Sequence, residues 1–354
     1  MNVIVIGAGV IGAACADALA AEGHHVHMLD MRGAGRGASQ ASAGVLAPYI
    51  EGHHGDPLLD LCVESLALYD SFIARVRETS GRPVEYARTG TVEVAVSEAD
   101  VARLTTLDAA IQARGAQSQW LDGRDAHLHD PAISEGALGG LRIDAHGFVH
   151  VPQLVAALVQ SAQLQGATLE VPTDVIRVEP TKSHVTVVIE NDPRECDAVV
   201  IAAGSWSGRV RIAGLPPTPV RPIRGQLLHL GWPDRAPMPK QVVWADKCYT
   251  VPWADRTLLV GATAEDVGFD ERSTLEGVHG LMSAVSEILP DAWRASLKEV
   301  RVGLRPRPDG DTPLIGPAAN SSRVILATGH YRNGVMLAPL TAQKVVAHVA
   351  MVSH

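Results

Sequence analysis

The first thirty residues leave this chain little choice of fold. NVIVI is a short apolar run rich in β-branched residues, which reads as a buried strand. It runs straight into Gly-Ala-Gly-Val-Ile-Gly, then an alanine-rich helical stretch, then HVHML, a second strand closed by Asp30. A strand–helix–strand unit starting at residue 2 commits the chain to a parallel sheet covered by helices, and so to an α/β domain. The glycines have separable tasks. Gly7 permits the tight turn, Gly9 lets backbone approach a pyrophosphate at the helix N-terminus, and Gly12 lets helix and strand pack closely. Asp30 stands where a carboxylate accepts from ribose hydroxyls.

The next stretch separates two kinds of dinucleotide. A simple nicotinamide dehydrogenase would continue into a crossover helix, whereas RGAGRGASQASAGVL, from Arg32 to Leu46, is small, glycine-rich and serine-rich. It reads as an extended loop laid along a long cofactor. Arg36, Ser39 and Ser42 are candidate donors to phosphates, and Ala43, Gly44 and Val45 can press backbone against a flat ring. DAVVIAAGSWSG brings a further strand to a small-residue end at Gly204. No second glycine fingerprint with strand and helix around it occurs, so a flavin here would draw its electrons from a substrate.

Beyond residue 57 the pattern mixes helices and alternating strands without a repeat or a low-complexity linker. Ser97-x-x-Asp100 is a capping-box start for a helix. The mixture predicts an α/β nucleotide-binding domain interrupted by an antiparallel α+β domain. A net charge of −9 gives no basic footprint for nucleic acid or anionic lipid. No apolar run approaches the ~18 residues of a membrane span. Cys15, Cys62, Cys196 and Cys248 lack CxxC spacing and read as reduced thiols, which predicts a cytoplasmic protein. The histidines cluster at His24, His25 and His27 and at His53 and His54, without the convergent ligand set of a metal site; no metal is expected. His53 and His54 stand near the expected substrate entrance, in a loop with the composition of a lid.

Four segments carry a resemblance that covers the chain from end to end. VIVIGAGVIGAACADALAAEGHHVHMLD, SQASAGVLAP, GLRPRPDGDTPLIGP and ILATGHYRNGVMLAP resemble the D-amino-acid oxidase superfamily of flavoproteins, in particular its glycine oxidase branch associated with thiamine biosynthesis. The resemblance implies an FAD-binding Rossmann-like domain of the glutathione-reductase type, formed by residues 1–85, 147–215 and 300–354. An interleaved antiparallel-sheet substrate domain would take residues 86–146 and 216–299. Val10 and Ile11 would lie on the pyrophosphate turn, with Asp30 and Met31 at the adenosine ribose. Ala38, Ser39, Ala43, Gly44 and Val45 would line the flavin, and Val175 would hold the adenine through its backbone. The stretch His330, Tyr331, Arg332, Asn333, Gly334, Val335 and Met336 would wrap the isoalloxazine. No cysteine stands near Arg305, where related monomeric sarcosine oxidases attach their flavin, so the FAD would be noncovalent.

Tyr249, Arg305 and Arg332 would face the substrate, with Arg332 clamping a carboxylate bidentately. Asn333 and Gly334 would bring backbone N–H groups to the flavin's pyrimidine edge. The implied reaction is oxidative deamination of glycine, sarcosine or a small D-amino acid to a 2-oxo acid. Hydride passes from Cα to flavin N5, and O2 reoxidises the flavin to give H2O2. The resemblance also implies a homo-oligomer. Alternatives within the superfamily are a D-amino-acid dehydrogenase and a secondary-amine or aminophosphonate oxidase. From other classes, a nicotinamide-linked dehydrogenase would lack the yellow of a flavin. A noncatalytic flavin-binding subunit would be yellow but would not bleach with any amine.

Overall fold

The computed structural model describes residues 1–51, 57–190, 192–319 and 321–352. Its first unit follows the sequence pattern: β1 (Asn2–Ile6), α1 (Val10–Ala21) and β2 (His25–Leu29). β1 runs parallel to β2 on one side and to Ala198–Ile201 on the other. The full sheet has six strands, in the order Leu314–Ala318, Ser321–Thr328, Ala198–Ile201, β1, β2, Thr168–Glu170. Only the edge strand Leu314–Ala318 is antiparallel to its neighbour. Val3 and Val5 on one face and Ile4 and Ile6 on the other are all buried, as a strand covered on both faces demands. Each such side chain contributes about 1.5–3 kcal/mol by leaving water.

One face of this sheet is covered by α1, Val151–Leu164 and Ala338–Val352, which share the largest core cluster. The buried carboxylate of Asp17 ties α1 to Val151–Leu164, accepting from Ser161 Oγ at 2.5 Å, and to a neighbouring helix, Tyr69–Ser80, through Arg75 at 2.7 Å. A buried charge is tolerable only with such partners. The other face packs against a four-stranded sheet that includes Val175–Pro180 and Val185–Ile189.

The second body is an eight-stranded sheet, in the order Ser296–Pro308, Val220–Gly231, Thr257–Gly261, Tyr249–Pro252, Val242–Trp244, Thr91–Ala95, Gly139–Ile143, Gln119–Asp122. It is antiparallel apart from one pair, Thr91–Ala95 with Val242–Trp244, which is parallel. The exception arises because the chain leaves for the first sheet and returns between these two strands. Helix Leu275–Ile288 covers the outer face. A small sheet of Val45–Leu46, Gly147–Val149 and Tyr86–Ala87 stands beside the flavin loop.

Two details differ from simple pattern reading, and a third follows it. The helical run after residue 57 is two helices, Pro57–Ala67 and Tyr69–Ser80, broken at Leu68, whose N–H turns back to the Ser65 carbonyl at 3.1 Å. The segment Ser296–Pro308 is one continuous strand, paired along its length with Val220–Gly231. The expected division between residues 299 and 300 falls inside it. The capping box forms in full: Ser97 Oγ accepts from the Asp100 N–H at 3.2 Å, and Asp100 Oδ2 accepts from the Ser97 N–H at 3.0 Å.

Candidate active site

A groove of about 660 Å³ runs from the end of β2, past the glycine turn, to the inner face of the eight-stranded sheet. Backbone builds most of its first half. Gly7 has φ +104°, and a Cβ there would come within 2.5 Å of the Ala202 carbonyl oxygen. A Cβ on Gly12 would sit 1.9 Å from the Gly7 oxygen, so Gly12 packs the turn and does not itself line the groove. Gly9 caps α1 without a side chain; instead Ser39 Oγ accepts from the Val10 N–H at 3.0 Å. That leaves the Ser39 hydroxyl proton available to an anion held over the helix N-terminus.

Asp30 lies on the groove, but both its oxygens already accept from backbone: the Ala8 N–H at 2.7 Å, the Arg32 N–H at 2.7 Å and the Gly33 N–H at 2.8 Å. A carboxylate has about four acceptor sites, so the expected ribose contact remains open to it. Met31 and Val175 line the same end, brought together because the strand after Val151–Leu164 pairs parallel with β2. Val10, Ile11, Ala38, Ala43 and Val45 follow along the wall. Gly44 has φ +76°, and a Cβ there would meet the Val149 oxygen at 1.8 Å. Gly204 sits opposite, its carbonyl accepting from Thr328 Oγ1 at 3.1 Å.

The far end carries side chains. Tyr249, Arg305 and Arg332, more than eighty residues apart at the extremes, line one pocket of the groove with Gly225, Leu227 and Ala262. Tyr249 stacks on Trp244 at 4.7 Å between centroids. Arg305 Nη1 donates to the Thr263 carbonyl at 2.8 Å. Arg332 is exposed at the tip of a turn in which Tyr331 takes φ +49°.

Within that turn, His330, Tyr331, Gly334 and Val335 face the groove with Arg332. Two expected neighbours do not. The Asn333 N–H donates to the His330 carbonyl at 2.9 Å, which closes the turn and removes that donor from the groove. Met336 packs into the helical core while its carbonyl accepts from Ser65 at 2.6 Å. His330 is buried and bonded to Thr341 Oγ1 at 2.9 Å, and burial pushes its pKa down to about 3, so the ring is neutral. Arg36 also departs from expectation: it borders a second, smaller cavity with Pro152, Val155 and Arg301, behind the turn Ala38–Ala41. His53 and His54 lie outside the described residues.

Pattern reading missed Arg32, Trp206 and Arg209 on the groove wall. Arg32 lies over the Trp206 ring at 5.0 Å, and Arg209 lies over Phe269 at 3.7 Å. The only signal was the motif GSWSGR directly after the Ala-Ala-Gly end of a strand.

The glycine cradle fits a pyrophosphate, the backbone on either side of Gly44 fits a flat ring, and the groove spans both. A parallel-sheet dinucleotide domain opening onto a substrate sheet in this way defines a flavin-dependent oxidoreductase. The chain belongs to the family of FAD dependent oxidoreductases abbreviated DAO, whose model matches residues 2–348. Glycine oxidase of Geobacillus kaustophilus is 32% identical over 344 residues, covering 96% of this chain and 90% of that protein. Its crystal structure superposes with a TM-score of 0.93 over 99% of this chain and 94% of that one. The bifunctional protein ThiO/ThiG of Synechocystis sp. is 32% identical over 96% of this chain, which spans 50% of that longer protein. Iminodiacetate oxidase from Chelativorans sp. BNC1 is 27% identical, with a TM-score of 0.86 over 99% of this chain and 95% of that one.

Proposed function

We propose that this enzyme oxidises a small α-amino acid, glycine or a compound of similar size such as sarcosine or a small D-amino acid. The products are a 2-oxo acid and the freed amine, and O2 is the acceptor, becoming H2O2. The observation that supports this reading is that Arg332, Arg305 and Tyr249 all line the cofactor groove. When bound, FAD supplies the two-electron acceptor.

The protein's own part is placement. Arg332 pairs with the substrate carboxylate and fixes its direction as well as its charge. The Tyr249 hydroxyl and Arg305 hold the same group from the sheet side. Gly225, Leu227 and Ala262 leave short walls, which favours a substrate with little or no side chain. Among the described residues no carboxylate lines this end, so none of them serves as a general base at Cα; in this reading the substrate is bound as the neutral amine and orientation supplies most of the rate. The likeness to iminodiacetate oxidase favours a second reading, a secondary amine held by the same clamp. The likeness to ThiO/ThiG supports a supply role in thiamine synthesis.

Anaerobic mixing of the purified holoenzyme with glycine, sarcosine, D-alanine and iminodiacetate tests the reading through the visible flavin band. Glycine is expected to bleach it, and admitted O2 to restore it with peroxide. Bleaching by iminodiacetate alone would move the assignment to secondary amines. No bleaching by any amine would refute it.

A further inference from the structure

Arg305 sits on strand Ser296–Pro308 beside Ile223 of the neighbouring strand. Its guanidinium lies across Gly225, where a Cβ would come within 2.2 Å of Nη1. The adjoining strand makes room for this side chain and gives it only a long contact, Arg305 Nη1 to the Arg224 carbonyl at 3.5 Å. The hold comes from the Thr263 carbonyl at 2.8 Å, on the loop that leaves strand Thr257–Gly261.

The Thr263 residue that carries it is itself fixed by a partly buried network. The Thr263 N–H donates to the Gln226 carbonyl at 3.2 Å, and Thr263 Oγ1 accepts from the Gln226 N–H at 2.9 Å. The Thr263 hydroxyl then donates to Glu265 Oε1 at 2.6 Å. Gln226 Nε2 donates to the same oxygen at 2.7 Å. Glu265 Oε2 accepts from Arg224 Nε at 3.2 Å, and the two residues also pair through their backbones. The Arg224 side chain is only 5% exposed and has a further partner in Asp270 at 3.1 Å. Burial acts to raise the Glu265 pKa, but hydrogen bonds from Arg224, Thr263 and Gln226 outweigh it and hold the carboxyl below its usual range.

Glu265, Arg224 and Gln226 do not line the groove, so this polar assembly touches neither cofactor nor substrate. Further along, the loop grips the cofactor wall: Phe269 packs on Trp206 at 5.6 Å, and Glu271 pairs with Arg32 at 3.0 Å. The loop is therefore anchored at both ends of the groove, and Glu265 is its anchor at the substrate end.

We propose that Glu265 is a positioning residue for Arg305: it fixes the Thr263 carbonyl and thereby the direction in which the guanidinium meets a substrate carboxylate. The proposal rests on the reading that Arg305 faces the substrate.

The test measures binding of acetate to the holoenzyme by its perturbation of the flavin spectrum, together with the glycine dependence of anaerobic flavin reduction. The proteins compared are wild type, Glu265→Gln, Arg305→Ala, the double variant, and Thr263→Val. Glu265→Gln is expected to weaken acetate binding about tenfold, in line with the loss of a charge-assisted hydrogen bond. The limiting reduction rate should change far less than the binding. Because the effect passes through Arg305, Glu265→Gln should cost nothing further in the Arg305→Ala background. Thr263→Val, which keeps the side chain's shape but removes the hydroxyl that links Glu265 and the Gln226 N–H, should also weaken acetate binding, with a loss that likewise disappears there, and carries the test if Glu265→Gln does not fold. Additive losses, or unchanged acetate binding in both single network variants, would overturn the positioning role. Unchanged binding in Arg305→Ala would instead sink the assignment of Arg305 to the substrate, and the present inference with it.

Discussion

The two ends of the groove are made differently. At the cofactor end the contacts are backbone: the turn at Gly7, the N-terminus of α1, and the close approach at Gly44. At the proposed substrate end the groove is lined by side chains, Tyr249, Arg305 and Arg332, each delivered by a different strand or turn. Backbone sites fail through steric exclusion, which is all or none. Side-chain sites fail one interaction at a time.

The largest effect belongs to Gly44→Ala. The new Cβ would lie 1.8 Å from the Val149 oxygen at a residue with φ +76°, and neither backbone can yield cheaply. The variant should purify without its flavin or fail to fold, read directly from the visible spectrum. Retention of full FAD content would break the idea that this end is set by backbone.

Arg332→Ala should show the opposite profile. FAD content should stay at the wild-type level while carboxylate binding falls about a hundredfold, the loss typical of truncating one partner of a charge pair. An unchanged apparent affinity for the amine would remove Arg332 from the clamp.

The smallest effect concerns two buried histidines, one beside each body. Burial holds His330 and His146 near a pKa of about 3, against 6.5 for a free ring. The unfolded chain therefore binds protons that the native state refuses as pH drops from 6.5 towards 3. Native stability is intact above 6.5 and is lost as pH falls. Each ring should remove about 2 kcal/mol between pH 6.5 and about 5. His330→Asn, which keeps a partner for Thr341, should flatten its share of that slope in a melting series. A slope identical to wild type would mean that His330 does not stay neutral.

The same contrast governs what the sequence discloses. The cofactor end is local: β1, the glycine turn, α1 and Asp30 occupy thirty consecutive residues, so spacing alone encodes the geometry. In the turn that carries Arg332 the sequence is a weaker guide: Asn333 and Met336 turn away, because a tight turn uses its donors on itself and which residue faces outward depends on φ/ψ rather than composition. Arg36 shares the loop composition of its neighbours, yet the turn Ala38–Ala41 sends it to the other side. The substrate end is nonlocal, and resemblance rather than periodicity pointed to its three residues. Strand Ser296–Pro308 hid because Pro306, Pro308 and its charged residues argue against a strand. The role of Glu265 was invisible for the same reason: nothing in the spacing of Arg224, Glu265 and Arg305 says that they meet.

Strand Ser296–Pro308 also bears on how such a protein could be recombined. Within four residues it packs Gly303 against Ala38 and Ala41, offers the Leu304 carbonyl to Ser205 Oγ at 2.8 Å, sends Arg305 to the proposed substrate end of the groove, and receives the Tyr331 N–H at the Pro306 carbonyl at 2.8 Å. Donor site and acceptor site are thus joined by adjacent covalent bonds, not by a hinge between independent modules. A chimaera that borrowed a relative's substrate sheet would have to inherit this strand whole, along with the surfaces of the flavin loop that fit it. Exchange of amine specificity by domain shuffling is barred at this seam, which leaves residue-by-residue change of the pocket walls as the open route.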